Sequence, residues 1–266
     1  MKKAVKITVV ILYIYLFNSC SSKEVEDYSW MDKYTAIICL TYDDGMTTQY
    51  KNAIPHLNEF GIKGTFFINN VSNREAVAAW RDASKMGHEL GNHTLFHPCP
   101  KSLGWPKEVT IDNYTVDLLL EEIATVNSIL DIAELKSKKR SFAYPCNNMH
   151  IGEQSYKDPL KNSNLVTFAR TGGEDKIVIN RQQLIDPMSV PSWAVPEGTK
   201  FSELKNYVDK VAQEKGIGML QFHGIGGEWI SIANEDHHML IEYLSSKTDS
   251  ILVTTFTDVM EYLENK

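Results

Sequence analysis

The sequence predicts an α/β protein built on parallel strands, and two observations carry that reading. From Ala36 onward, short apolar runs alternate with amphipathic segments, the pattern of strand–helix–strand units. The residues suited to chemistry also fall directly after apolar runs: Asp43 and Asp44, His93 and His97, Pro145-Cys146, and His223. Barrel and open-sheet α/β proteins build their sites at those strand ends.

The elements follow in order. Ala36-Ile37-Ile38-Cys39-Leu40 reads as a buried strand leading into Thr41-Tyr42-Asp43-Asp44-Gly45. A helix carries Tyr50, Ile54, Leu57 and Phe60 at helical spacing, with Pro55 in its first turns and Gly61 ending it. Gly64 to Ile68 is a second strand, Asn73 to Met86 a helix, and His88 to His93 a third strand. Pro98, Pro100, Gly104 and Pro106 keep residues 98–113 irregular, as a wall beside the histidines. Thr115 caps a helix with Val116, Leu119, Leu120, Ile123, Val126 and Leu130 on one face. Ser141 to Tyr144 is a fourth strand and Leu165 to Ala169 a fifth; Gln183-Leu184-Ile185 with Ser189-Val190 gives a weak sixth. A helix from Ser202 to about Glu214 precedes the strand Gly218 to Phe222. A helix over 235–246, a strand over 251–254 and a last helix capped by Thr257 or Asp258 close the chain.

The chain has 266 residues, 43% of them hydrophobic, enough for one sizeable core. Its net charge of −7 makes it a poor nucleic-acid binder. Lys2, Lys3 and Lys6 followed by the apolar run from Ile7 to Phe17 form a targeting segment too short for a comfortable membrane span. Leu16-Phe17-Asn18-Ser19-Cys20 resembles a bacterial lipoprotein signal, so residues 1–19 are expected to be a signal peptide and Cys20 the lipidated residue. The alternative is an uncleaved anchor helix. Residues 20–34 read as a tether, polar and acidic at its start, and residues 35–266 as one domain. The expected place is the bacterial cell envelope, lipid-anchored to the outer membrane on its periplasmic or cell-surface side. Cys39 reads as a buried thiol. Cys99 and Cys146 each adjoin a motif; if the motifs converge they can be bridged in an oxidising compartment, and otherwise they are free thiols near the site.

Two adjacent carboxylates after a buried strand repel each other unless a cation or other partner is present. His93 and His97, four apart, can present both imidazoles to one ion. The zinc-protease arrangement needs a glutamate where Thr94 stands, so a base must come from elsewhere, and Asp43-Asp44 can supply it.

Together, Thr41-Tyr42-Asp43-Asp44-Gly45 and His93-Thr94-Leu95-Phe96-His97 resemble the first two motifs of the polysaccharide deacetylases, carbohydrate esterase family four. Gly64-Thr65-Phe66-Phe67 and Gly87 to Asn92 match their surroundings. The resemblance covers residues 36–263. It implies a distorted (β/α) barrel with about seven parallel strands. It implies one divalent metal, zinc first, with cobalt, nickel or manganese also suited, held by Asp44, His93 and His97. It further implies a water nucleophile on that metal, Asp43 as general base and His223 as general acid, removing acetyl groups from an acetylated glycan. The bond is an N-acetyl amide of an amino sugar or an O-acetyl ester as on xylan. Phe142 to Asn147 resembles the third motif, which places Tyr144, Pro145 and Cys146 along the substrate groove, with a backbone N–H near Cys146 as oxyanion donor. Ala143 stands where the family usually has an arginine that holds the catalytic aspartate, and Arg140, Arg170 and Arg181 are the candidate replacements. Asp186 and Trp193 are the nearest match to the fourth motif. Trp193 and Trp229 are candidate sugar platforms, with burial the alternative for each. A second reading is a catalytically weak, surface glycan-binding lipoprotein on the same barrel.

Overall fold

The computed structural model describes residues 27–71, 73–104, 106, 109–173 and 175–266. The expected signal segment and Cys20 lie outside the described residues. The strands are β1 (Ala36–Asp43), β2 (Thr65–Ile68), β3 (Glu89–Asn92), β4 (Arg140–Ala143), β5 (His150–Ile151), β6 (Gln154–Ser155), β7 (Val166–Arg170), β8 (Val178–Ile179), β9 (Trp193–Ala194), β10 (Ile217–Phe222) and β11 (Ile251–Thr254). The helices are α1 (Ile54–Glu59), α2 (Arg74–Lys85), α3 (Val116–Glu134), α4 (Lys157–Ser163), α5 (Phe201–Gln213), α6 (Asn234–Ser245) and α7 (Phe256–Glu264).

The main sheet runs β7-β4-β3-β2-β1-β10, all parallel. β1 is its hub. Ala36–Cys39 pairs with β11 and Thr41–Asp43 with β2, while β10 follows β1 along the other edge. The two open edges meet through residues 187–195. The Val190 amide donates to Ala169 O, at the β7 edge, and the Val195 amide donates to Gln221 O, at the β10 edge. One irregular segment thus closes a distorted (β/α) barrel.

Side-chain alternation along β1 decides what faces the lumen. Ile37 and Cys39 pack there with Phe67, Phe168 and Met219. Ala36, Ile38, Leu40 and Tyr42 pack outward against the helices. Thr41 and Asp43 continue the inner row, so the lumen is apolar below and polar at the C-terminal end of the strands. Met31, Phe256, Val259 and Met260 plug the lower end. Residues 28–33, expected within the tether, therefore belong to the domain: Ser29–Lys33 forms a 3-10 turn with Met31 buried, and Tyr28 donates to Glu261.

Most expected elements form where local rules place them. Asn73 and Thr115 cap α2 and α3 through their side chains, accepting from the Ala76 and Leu118 amides. Burying Leu119, Ile123, Val126 and Leu130 on α3 stabilises the fold by roughly 1.5–3 kcal/mol each. Three expectations change. The weak sixth strand is absent at 183–185, where Asn180 forms a turn by accepting the Gln182 and Gln183 amides; Val178–Ile179 and Trp193–Ala194 pair instead. The last helix is capped by Thr255, because the Thr257 hydroxyl is engaged by Glu89. The first helix opens with a π-helical turn at Gln49–Ala53. The short α4 and the β5–β6 hairpin carried no clear periodicity.

Candidate active site

β1 ends at Asp43, and the next two residues turn left-handed, Asp44 at φ 76° and Gly45 at φ 59°. Aspartate tolerates that region better than most residues. The turn separates the two carboxylates: Asp43 stays in the lumen row, while Asp44 reaches the histidine loop. Its Oδ1 lies 3.4 Å from His93 Nε2 and 3.4 Å from His97 Nε2.

The histidine loop is held from several sides. Thr94 (φ 61°) and His97 (φ 50°) both lie in the left-handed region, which is strained for threonine. Asn92 Oδ1 accepts the Thr94 amide at 2.8 Å, and Thr94 Oγ1 accepts the His97 amide at 3.1 Å. Glu122 of α3, 6% exposed, accepts the Leu95 and Phe96 amides with one oxygen, each at 2.7 Å. The Cys99–Cys146 disulfide, with Cα atoms 5.7 Å apart, then ties this loop to the turn after β4.

His93 Nδ1 lies 2.8 Å from Ala143 O. It donates there, which leaves Nε2 as a lone pair facing Asp44. A carboxylate oxygen and two imidazole nitrogens all within 4.8 Å repel one another unless a proton or a metal cation lies among them. The donor set, one carboxylate and two imidazoles, suits a divalent transition metal. Burial disfavours a charged His93, but Asp43 and Asp44 outweigh it and raise its pKa; the same field favours a metal ion. For His97, burial and then His93 lower the pKa to about 4.

Asp43 is buried, and burial would raise its pKa. Arg170, then His93 and His223, outweigh that and hold the carboxyl below its usual range. The Arg170 guanidinium donates to both carboxylate oxygens at 2.5 Å. Gln221 Nε2 donates to Oδ2 at 2.8 Å, and Gln49 Nε2 donates to the Asp43 carbonyl at 2.5 Å and to that of His223 at 3.1 Å. Arg170 thus fills the role left open at Ala143. The two positions are register partners, Ala143 on β4 facing Arg170 on β7. Arg140 is engaged elsewhere by Asp131 and Glu134, and Arg181 reaches Gly216 O.

His223 follows β10, where its charge interacts with Asp43 and Asp44. Burial, only partly offset by those two acids, lowers its pKa, and its Nδ1 is buried without a hydrogen-bond partner. Asp186 does not supply one: it is paired with Lys157 at 2.6 Å. Trp229 is at the site, 57% exposed, its indole N–H donating to Asp44 Oδ2 at 3.3 Å.

Other expected contacts fall elsewhere. Trp193 is 2% exposed and packs on Tyr207, so it offers no face to a sugar. The alternation of β9 turns it outward from the barrel into the helix layer. Tyr144 is buried with Phe142 and Tyr156, its hydroxyl donating to Met188 O, and Pro145 is buried in the turn below it. Cys146 lies by the site, but its sulfur is committed to the disulfide. Sequence reasoning missed Gln221, Gln49 and Glu122. Gln221 left a signal, being the one polar side chain in the run from Met219 to Phe222; Glu122 left none on an ordinary amphipathic helix.

The sequence profile of the family described as Polysaccharide deacetylase matches residues 32–150. A peptidoglycan-N-acetylglucosamine deacetylase of Bacillus cereus is 30% identical over 81 residues, a stretch that spans 27% of this chain and 30% of that relative's length. Two solved structures are similar in fold. The Xyl-CE4 domain of a multidomain xylanase from the hindgut metagenome of Trinervitermes trinervoides has a TM-score of 0.55 at 18% identity, covering 85% of this chain and 89% of that one. A family 4 acetyl xylan esterase from Clostridium thermocellum, in complex with a cobalt ion, has a TM-score of 0.52 at 19% identity, covering 84% and 89%. Residues 32–150, which hold both the Asp43-Asp44 and the His93–His97 segments, thus match the polysaccharide deacetylase family, and the fold as a whole is similar to that of the two solved structures.

Proposed function

We propose that this protein is a metal-dependent hydrolase that removes acetyl groups from a polysaccharide or oligosaccharide. One observation carries the reading. Asp44 and two histidines from a separate segment converge on one point, while the neighbouring Asp43 is held ionised beside them by Arg170. Asp44, His93 and His97 would hold the divalent metal. When bound, it acidifies water and polarises an acetyl carbonyl. Zinc is the metal we propose, with cobalt, nickel or manganese fitting the same donors; the acetyl xylan esterase relative was solved with cobalt.

The chain's own groups do the rest. Asp43 accepts the water proton, and it is ionised and anchored at both oxygens before substrate arrives. Arg170 keeps it anionic. His223 delivers a proton to the departing sugar nitrogen or oxygen; because burial favours its neutral form, it must gain that proton during the reaction. Trp229 offers an exposed aromatic face to a pyranose ring. An ester needs less help in leaving than an amide, so His223→Ala is expected to cost more on N-acetyl than on O-acetyl substrates. Equal losses would remove leaving-group strength as the explanation.

The deciding experiment measures acetate release from chitooligosaccharides, peptidoglycan and acetylated xylan, with zinc and with chelator. Release that needs metal and disappears in Asp43→Asn, with metal retained, supports the reading. Glycan binding without release would favour a binding protein instead. That rival draws on Ala143 and on the poorly matched fourth motif; Arg170 at the paired position weighs against the first ground, while Asp186, engaged by Lys157, leaves the second in place. We also propose lipidation at Cys20, with anchoring in the bacterial envelope. Cys20→Ala is expected to move the protein from the membrane to the soluble fraction.

A further inference from the structure

The loop between Gly224 and Ile232 carries an arrangement that metal binding and the proton transfers leave unexplained. Trp229 is 57% exposed, yet its ring nitrogen is committed to Asp44 Oδ2 at 3.3 Å. The other oxygen of that carboxylate, Oδ1, is the one 3.4 Å from both imidazoles. The loop is not free to swing. Glu228 accepts from the Thr47 amide at 3.3 Å, the Thr48 amide at 2.7 Å and the Thr48 hydroxyl at 2.6 Å. It thereby clamps the loop to the segment that leaves Asp44-Gly45. Glu228 (φ 65°) and Ile230 (φ 46°), on either side of the tryptophan, are both left-handed, a conformation held only where the surroundings impose it. A Cβ at Gly224 would lie 2.1 Å from Gly227 O, so the loop closes tightly on itself.

We infer that Trp229 couples glycan binding to the metal centre, its ring carrying a sugar while its N–H holds Asp44 Oδ2 so that Oδ1 alone is offered to the metal. This rests on the proposed function for the sugar and on the geometry alone for the carboxylate. A donor on the outer oxygen, added to the Asn69 Nδ2 contact with Oδ1 at 3.4 Å, fixes rotation of the carboxylate. Without it the group can turn toward water or present both oxygens. Such outer partners of metal ligands are worth about 10–100-fold in affinity, and this bond, long and half open to water, belongs at the lower end. A sugar stacked on the ring would exclude water from the same bond and strengthen it. Linkage then requires that metal and glycan each bind more tightly in the other's presence.

The test uses the full chain in mild detergent, with Trp229→Phe to keep a ring and remove the donor, and Trp229→Ala to remove both. Metal affinity is read by chelator competition and by the visible spectrum of the cobalt form, with and without unacetylated chitotetraose or xylotetraose. KM is read by acetate release. For Trp229→Phe we expect metal affinity weakened about tenfold, a shifted cobalt spectrum, KM within about twofold of wild type, and no tightening of metal by the oligosaccharides. For Trp229→Ala we expect the same metal loss with KM raised about tenfold. Metal affinity and spectrum unchanged in Trp229→Phe would overturn the inference. So would a metal loss that merely tracked a fall in thermal stability. If the wild type released no acetate from any glycan, the proposed function would fall, while the metal measurements would still decide the role of the indole.

Discussion

Two arginines with fully buried side chains lie on neighbouring, paired strands and serve opposite ends of the barrel. Arg140 opens β4 and pairs with Asp131 and Glu134 of α3, adding a bond to Leu90 O at 3.2 Å. Arg170 closes β7 and grips Asp43 with both oxygens engaged. The chemistry is the same, but the partners differ in kind. The acids of Arg140 lie six and nine residues before it, on the helix that leads into its strand. The acid of Arg170 lies 127 residues away. The first pair staples a helix to a sheet. The second holds one carboxylate ionised at the polar end of the lumen. The same kind of ion pair thus ties a helix to a sheet at one end and, under the proposed function, sets the charge of a reacting carboxylate at the other.

The largest expected contrast is between the carboxylates. Asp43→Asn should lower kcat by about a hundred- to ten-thousand-fold with metal still bound, the range for loss of a general base. Asp131→Asn should leave kcat within about threefold, since it touches only the lower clamp. Acetate release by metal-loaded protein measures both, and equal losses would dissolve the distinction.

The arginines come next. Removing one partner of a buried pair costs about 3–5 kcal/mol, so Arg140→Ala and Arg170→Ala should both lower stability in denaturant unfolding. Only Arg170→Ala should also lower kcat/KM in the folded fraction, and it should move the acid limb of the pH profile upward, because Asp43 loses the cation that depresses its pKa. Adding Ala143→Arg to Arg170→Ala returns a guanidinium to the paired position and should recover at least part of that loss. Failure to recover any would show that strand register does not make the two positions equivalent.

A smaller effect should separate scaffolding from site at α3. Glu122→Ala removes two charge-assisted bonds to the loop between His93 and His97. It should cost about 1–3 kcal/mol of stability and weaken metal by about tenfold or more. Glu122→Gln, which keeps an acceptor oxygen in place, should restore most of the metal affinity. Stability loss without a metal effect would make Glu122 a plain helix-to-loop tie.

The last concerns the lower end and leaves activity at pH 7 unchanged. His88 accepts the Gly64 amide with Nδ1 and meets Asn58 Oδ1 with Nε2, as a neutral ring does. Burial, and then Lys63, lower its pKa to about 4, against an ordinary value of 6.5. The unfolded chain therefore binds the proton first as pH falls. Stability should drop between pH 6.5 and 4, by up to about 1.4 kcal/mol per pH unit from this residue. His237, buried and also held neutral, adds to the same slope. His88→Gln should flatten the dependence of melting temperature on pH without changing activity at pH 7.

What the sequence determined by itself is what short-range rules decide. Caps at Asn73 and Thr115, the alternation along Ala36–Asp43 and the left-handed turn at Asp44-Gly45 depend on bonds and sterics within a few residues. They were enough to put Asp43-Asp44 and the His93–His97 pair each at a strand end. The tertiary structure alone decided which arginine meets Asp43, that Glu122 holds the histidine loop, that Trp229 and not Trp193 faces the site, and that residues 187–195 close the barrel. Each of these depends on strand register and barrel curvature across tens to more than a hundred residues, where many partners are chemically equivalent and only packing chooses among them.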